Sequence, residues 1–383
     1  MTFIVPIGPQ HPALEEPEHF RIEVKGEEVV DVDFRLGYVH RGIERELCNR
    51  TYGHGLFLSA RVCGICTDAH SSAFTRTVEA VAGIECPDRA RYIRTIGIEL
   101  ERIHSHLLWA GIAAHEIGFT TLFMLFWRDR ELALDLRELL FGQRIMSGEM
   151  VLGGVRRDIT PDKVPKIVRN LDALEKATKH YIDVCTSDRT VIARCANVGV
   201  LTKQAAREFC AVGPTARASG IDQDVRRDDP YAAYNEIPFK VITERDGDVF
   251  AKVVVRLREI LESIHIIRHA LDVMPKGALA MRFPKKIAPN EAVGRVEAPR
   301  GELFYYVLSN GSNKPERVRI RTPSYANMPT IKPMLVGGTI ADVPIVLASI
   351  DPCFSCTDRI TVVDARTGKS RIVTKEELRR MRI

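Results

Sequence analysis

Two Cys-x-x-Cys pairs stand near opposite ends of the chain. Cys63 and Cys66 lie in Arg-Val-Cys-Gly-Ile-Cys, and Cys353 and Cys356 lie in Asp-Pro-Cys-Phe-Ser-Cys. Four thiols in two such pairs read as a metal site, because each pair offers two sulfurs from one turn of chain. A local zinc knuckle spaces its pairs about 15–20 residues apart. Here the fold must carry positions 66 and 353 to one place, so the site reads as a clasp between the two ends. On chemistry alone zinc stays open, as does a simple iron–sulfur cluster, since soft thiolates select iron and nickel as well.

The remaining composition narrows the class. With 383 residues, 45% of them hydrophobic, the chain can bury a large core. Its net charge of +5 is spread over 55 basic and 50 acidic side chains. No Lys/Arg run with interleaved aromatics appears, so no nucleic-acid partner is expected. Met1 to Pro6 lacks the basic and apolar regions of a signal peptide, and reduced, cytosolic thiols are expected. The other cysteines (Cys48, Cys86, Cys185, Cys195 and Cys210) are scattered and read as inert packing thiols. The apolar segment Ile117 to Trp127 is closed by His115, Glu116, Arg128 and Asp129. It is far shorter than the about 20 residues that span a bilayer. A membrane location would therefore be peripheral and held by other subunits.

Hydrophobic periodicity predicts a mainly α fold: a long-helix bundle with small β-sheet or hairpin elements at the N- and C-terminal ends. Residues 1–43 read as an N-terminal α/β segment, 44–290 as the helical core, and 291–383 as a β-hairpin region with the second cysteine pair and a structured tail. Together they are expected to form one integrated domain. Ile22 to Val24 and Val29 to Phe34 flank Gly26 as a hairpin. Ile93, Ile96, Leu100, Ile103 and Leu107 form one stripe of a long helix. Gly153-Gly154 breaks the helical pattern, and Thr160-Pro161-Asp162 starts another helix. Residues 190–247 read as loops, and Asp248 to Met274 as a helix. Glu302 to Leu308, Asn310-Gly311 and Arg317 to Ile320 read as a hairpin.

The first cysteine pair opens a helical stretch through Asp68, His70, Phe74 and Val78, where a helix N-terminus favours thiolate. Pro352 fixes the backbone before Cys353, and Asp351 places an acid beside it. These two motifs, with His70, resemble the paired signatures of the nickel–iron hydrogenase large subunit. Gly8-Pro9-Gln10-His11-Pro12 with Glu16-Pro17, Tyr38-Val39-His40-Arg41-Gly42-Ile43-Glu44, Gly213-Pro214, Arg217-Ala218-Ser219-Gly220, Asp224-Val225-Arg226 and Glu297-Ala298-Pro299-Arg300-Gly301 are similar to its membrane-associated, energy-converting branch, group 4. That branch is related to the quinone-site subunit of respiratory complex I, which has lost the cysteines. All four are kept here.

The resemblance implies a nickel held by four thiolates, with Cys63 and Cys353 terminal. Cys66 and Cys356 would bridge to an iron carrying carbon monoxide and cyanide. It implies reversible interconversion of H2 with protons and electrons. Arg300 would hang over the open metal face, oriented by Asp351 through a charge-assisted bond. Cys353 would be the first proton acceptor and Glu16 the next relay. His70 would hydrogen-bond a bridging sulfur, with Arg61 and Pro299 supporting the site. Glu44 would help bind magnesium or a second iron. On the residues alone, Arg300 reads as a surface arginine in a turn, and Glu16 as one of three exposed glutamates with Glu15 and Glu18. Glu44 likewise reads as an ion-pair partner of Arg41 or Arg45. His104, His106 and His115 read as ordinary helix positions.

The implied partners are an iron–sulfur small subunit, other hydrophilic subunits, antiporter-like membrane subunits and, indirectly, ferredoxin, on the cytoplasmic side of the membrane. The alternative is a complex I-like redox module repurposed for quinone or sulfur reduction. Many hydrogenases end soon after the last cysteine pair with a histidine exposed by trimming. Arg359 stands at that position here and the chain continues to Ile383, with a Thr367-Gly368 turn and a Thr374-x-x-Glu377 capping box. Maturation without cleavage is the expectation.

Overall fold

Strands β1 (Phe3–Ile7), β2 (His19–Lys25) and β3 (Glu28–Arg35) make an antiparallel sheet in that order. The predicted hairpin is β2–β3, turning through Gly26 at φ 64°; β1 adds a strand that the sequence does not announce. Alternation along the strands buries Phe20, Ile22, Val24, Val29 and Val32. The Phe20 ring lies 6.1 Å from that of Phe354, so the sheet packs on the second cysteine pair. The computed structural model describes residues 1–357, 362–364, 366–368 and 370–371.

Helices α1 (Ile43–Asn49), α2 (Tyr52–Ser59) and α3 (Thr67–Ala82) follow, and the first cysteine pair fills the gap between α2 and α3. The long helices α4 (Asp88–Glu116) and α5 (Thr120–Phe141) pack together, and the predicted α4 stripe from Ile93 to Leu107 is buried. The apolar segment Ile117 to Trp127 is split by the turn between them, where Gly118 takes φ 82°. Among the described residues no helix is long and apolar enough to cross a membrane. A small hairpin, β4 (Met150–Val151) and β5 (Gly154–Val155), occupies the glycine break. A single 3-10 turn at Pro161–Lys163 then leads into α6 (Val164–Ser187), as the sequence predicts.

Residues 190–247 correct the expectation of loops. They include α7 (Arg189–Cys195), α8 (Lys203–Glu208), α9 (Gly213–Ala218) and α10 (Val225–Asp228). Helices of one or two turns are too short to show a periodic stripe. Three of them are capped by side chains, with Asp188, Thr202 and Asp224 accepting from backbone N–H groups. Helix α11 (Val249–Val273) begins as predicted, with Asp248 accepting from Ala251 N at 2.7 Å.

Beyond α11 the chain forms β6 (Asn290–Ala298), β7 (Gly301–Ser309) and β8 (Pro315–Arg321), an antiparallel sheet in that order. The predicted hairpin is β7–β8, with a connection longer than the Asn310-Gly311 turn. β6 was not expected, because its first half is mostly exposed and carries no alternation. Helices α12 (Pro323–Asn327), α13 (Ile331–Leu335) and α14 (Val343–Ser349) lead to the second cysteine pair. β9 (Val362–Val363) pairs with β10 (Ser370–Arg371) around the predicted Thr367-Gly368 turn. Arg359 and the Thr374–Glu377 box lie outside the described residues. The architecture is mainly α with small sheets at both ends, as the periodicity predicts. One hydrophobic cluster reaches from Ile7 to Cys356.

Candidate metal centre

The fold closes the clasp that the cysteine spacing demands. All four thiols are buried. Cys63 Sγ lies 2.9 Å from Cys66 Sγ and 3.5 Å from Cys353 Sγ, and Cys353 and Cys356 are 3.0 Å apart. Backbone N–H groups of Ile65 and Cys66 donate to Cys63 Sγ at 3.3 and 3.2 Å, as a tight turn around a thiolate requires. The second pair is held in a 3-10 turn, Phe354–Cys356. Cys353 N donates to Ser324 Oγ at 2.9 Å, and Thr322 Oγ1 to Cys356 O at 3.0 Å. Hydrogen bonds from Cys353, Cys356 and Cys66 hold the Cys63 thiol well below its ordinary range. Cys356 is pushed well up, by its bonds to Cys353 and its other thiol neighbours and by burial. Four soft donors gathered in a dry pocket, competing for protons, fit a thiophilic cation. Among the described residues, Cys63, Cys66 and Cys356 form the group of His, Cys, Asp or Glu side chains gathered closely enough to hold an ion.

Arg300 is not the surface residue its turn suggests. Ala298 and Gly301 pair across β6 and β7, so Pro299-Arg300 is the whole hairpin loop. Both residues are buried. Arg300 Nε donates to Asp351 O and Nη2 pairs with Asp351 Oδ1, each at 2.7 Å, while Nη1 points at Cys66 Sγ at 3.5 Å. Asp351 is itself buried, with φ 53°, and among the described residues its Oδ2 has no partner. The loop is seated by close backbone contact. A Cβ on Gly213, at φ 66°, would lie 2.4 Å from Gly301 Cα and from Arg300 O.

The carboxylate of Glu16 reaches the second pair from the β1–β2 loop. It accepts from Ser355 N at 2.7 Å and from the Ser355 hydroxyl. It thus caps the 3-10 turn between the two cysteines. Glu18, expected at the surface, is fully buried, and burial pushes its carboxyl up to about 7. His70 sits between Tyr305 and the thiols, with Nδ1 2.7 Å from Tyr305 Oη and Nε2 3.6 Å from Cys356 Sγ. Burial lowers His70 to about 4 and raises Tyr305 well above the phenol range. The neutral imidazole can therefore accept from the phenol at Nδ1 and donate from Nε2 to sulfur.

Two expected residues make contacts away from the thiols. The Arg61 side chain is exposed and donates to Phe57 O at 2.7 Å, away from the thiols. Its carbonyl matters instead. Arg41 donates to Arg61 O at 2.9 Å, to Val62 O at 2.6 Å and to Ser355 O at 3.0 Å, tying both cysteine loops together. Arg41 lies in one of the family motifs, but its reach across the fold left no sequence signal. Glu44 reaches across the fold. It engages β8, with Oε2 2.6 Å from Arg319 Nη1 and Oε1 accepting from Ile320 N at 2.9 Å.

Comparison with known proteins accords with this geometry. The nickel-dependent hydrogenase family matches residues 41–110, which hold Cys63, Cys66 and His70. The family of the respiratory-chain NADH dehydrogenase 49 Kd subunit matches 116–292 and 282–359, which hold Arg300 and the second pair. Formate hydrogenlyase subunit 5 of Escherichia coli is 42% identical over 99% of this chain and 67% of its own length. The chain belongs to the group 4 nickel–iron hydrogenase large-subunit family, related to the complex I 49 kDa subunit. Membrane-bound hydrogenase subunit alpha of Pyrococcus furiosus is 41% identical over 99% of this chain and 92% of its own. Among solved structures, the membrane-bound sulfane sulfur reductase, an archaeal respiratory membrane complex, matches with a TM-score of 0.89. The identity is 33%, over 94% of this hydrogenase-family chain and 98% of that one.

His104 and His106 on α4 are fully buried, beyond what their helix positions suggest. His106 Nε2 pairs with Glu259 at 2.9 Å, whereas among the described residues neither His104 ring nitrogen has a partner. Burial, then the charges of Arg137 and Arg130, hold His104 well below the usual imidazole range. His115 is exposed, as an ordinary helix position would be.

Proposed function

We propose that the chain is the catalytic subunit of an energy-converting nickel–iron hydrogenase. The observation that carries this reading is the meeting of four buried thiols with the guanidinium of Arg300. A closed structural zinc site keeps no open position for a reactant, and a fixed guanidinium at the sulfurs suits a site where charge develops during reaction. Cys63 and Cys353 would be terminal ligands of nickel, and Cys66 and Cys356 would bridge to iron. When bound, the pair of metals supplies the open, redox-active position at which H2 is split or formed. The chain's own residues do the rest. Arg300, fixed by Asp351, presents positive charge at the thiol face in a site closed to water. Cys353 receives the proton, and Glu16 lies next in line beyond Ser355. His70 steadies the Cys356 sulfur through its Nε2–H.

Because no described helix can cross a membrane, attachment would run through other hydrophilic and membrane subunits on the cytoplasmic side. Electrons would leave through an iron–sulfur small subunit toward ferredoxin. The named relatives are components of membrane-bound and multi-subunit enzymes, which supports this assembly. A second reading, a redox module for sulfur reduction, draws on the likeness to the sulfane sulfur reductase.

The purified complex should catalyse H2–D2 exchange. Reduction of sulfane sulfur with no exchange would instead favour the second reading. Glu16→Gln is expected to slow H2 turnover by roughly a hundredfold or more, the usual worth of a positioned proton-transfer group, with nickel retained. Loss of nickel in that variant would make the Glu16–Ser355 contact structural.

A further inference from the structure

Helices α4 and α11 pack along a buried polar seam. Thr95, Glu99, Arg102 and His106 lie on one face of α4, and Lys252, Arg256, Glu259 and Ser263 on one face of α11. All eight are buried. Both sets step by four, three and four residues, the repeat of a helix stripe. The helices run antiparallel along it. Ser263 donates to Glu99 at 2.5 Å, His106 meets Glu259 at 2.9 Å, and the Arg256 guanidinium stacks 3.9 Å from the centre of the Trp109 ring.

Side chains leave this seam at two places and grip the backbone of the metal-centre loops. Arg102 donates to Glu297 O at 2.7 Å and to Ala298 O at 3.3 Å, the stem of the Arg300 turn. Trp109 Nε1 donates to Ala348 O at 2.7 Å and Arg256 Nη2 to Ser349 O at 3.1 Å, the stem of Asp351. Asp351 needs such a grip, since a non-glycine residue holds φ 53° only where its surroundings fix it. Arg256 differs from Arg102, which pairs with Glu99 at 3.4 Å. Among the described residues it makes no ion pair, and it donates only to the carbonyls of Lys252 and Ser349. Burial lowers it to about 10, which leaves it charged at neutral pH. A buried cation without a carboxylate partner is costly and calls for a role.

We propose that Arg256 and Trp109 form a positioning pair for the metal centre. Stacked on each other, they fix the backbone from Ala348 to Asp351 and so aim Arg300 at the thiols. This inference rests on the hydrogenase reading only for its turnover and infrared readouts, not for the placement of Arg300.

The test compares the whole complex carrying Arg256→Met, Arg256→Lys or Trp109→Phe with the unaltered one. Arg256→Met should displace the Arg300 side chain in a solved structure and lower H2 turnover per nickel roughly 10- to 100-fold, the range for residues that orient a metal's surroundings. It should also shift the infrared bands of metal-bound carbon monoxide and cyanide while leaving nickel content and thermal midpoint unchanged. Trp109→Phe, which removes the indole N–H and shrinks the ring on which Arg256 stacks, should act in the same direction, and Arg256→Lys should restore part of the turnover. Arg300 in place with turnover within about twofold of the unaltered complex would overturn the proposal. If Arg256→Met does not assemble, the same two readouts on Trp109→Phe decide. An unaltered complex without nickel would sink the hydrogenase reading alone. The position of Arg300 in the variants would still decide this one.

Discussion

Changing Arg300 to lysine is expected to cut H2 turnover by roughly a hundred- to a thousandfold with the metal content unchanged, as when one fixed charge-stabilising donor is removed from an active site. The guanidinium fork makes three contacts at once: the Asp351 carbonyl, the Asp351 carboxylate and Cys66 Sγ. A lysine ammonium is a point charge on a flexible stem and cannot span them. Paired with Asp351, it would leave the sulfur face. Turnover per nickel, measured by H2–D2 exchange and elemental analysis, checks this. An unchanged rate per nickel would remove Arg300 from the chemistry.

The second large effect concerns the first cysteine loop. Arg137, fully buried, pairs with Asp68 at 2.5 Å and donates to Arg144 O and Ile145 O. Asp68 lies in the first turn of α3, two residues after Cys66, and its N–H meets the Glu101 carboxylate, which also accepts from Ala69 N at 2.9 Å. Glu149 is nearby; burial and then the charge of Asp68 raise it to about 8. One guanidinium therefore offsets a nest of buried acids beneath the metal-binding turn. Arg137→Met should destabilise the chain by about 3–5 kcal/mol, the cost of stranding a buried charge. That is a large share of the roughly 5–15 kcal/mol that holds a domain folded. Urea unfolding measures it. The double variant Arg137→Met with Asp68→Asn should recover part of the loss, because the strongest unpaired charge is then gone. No recovery would mean that the arginine acts through its carbonyl contacts alone.

The thiol pairs are legible in the sequence because each sits in a short motif with a chemical reason for its spacing, whereas Arg300 stands out only through the family resemblance, since its Pro-Arg-Gly turn alone reads as surface. The long helices are equally legible, since α4 and α11 carry stripes over many turns. What stays hidden depends on distant partners or on short elements. β6 shows no alternation because half of it faces solvent, and the helices between residues 190 and 247 are too brief to be periodic. Arg41 grips carbonyls 20 and 314 positions away, and backbone acceptors leave no trace in a sequence. Glu44 has arginines beside it in the chain, yet the sheet brings Arg319 to it. The polar stripe of Lys252, Arg256, Glu259 and Ser263 is present in the sequence. The apolar residues of the same helix mask it, because they already explain the helix's burial.

What the four thiols hold decides between a hydrogenase and every other reading of this fold. Elemental analysis of the purified complex, with an infrared spectrum of the same sample, should find nickel and iron together with bands of metal-bound carbon monoxide and cyanide. Zinc alone, or protein without metal and without those bands, would contradict the assignment.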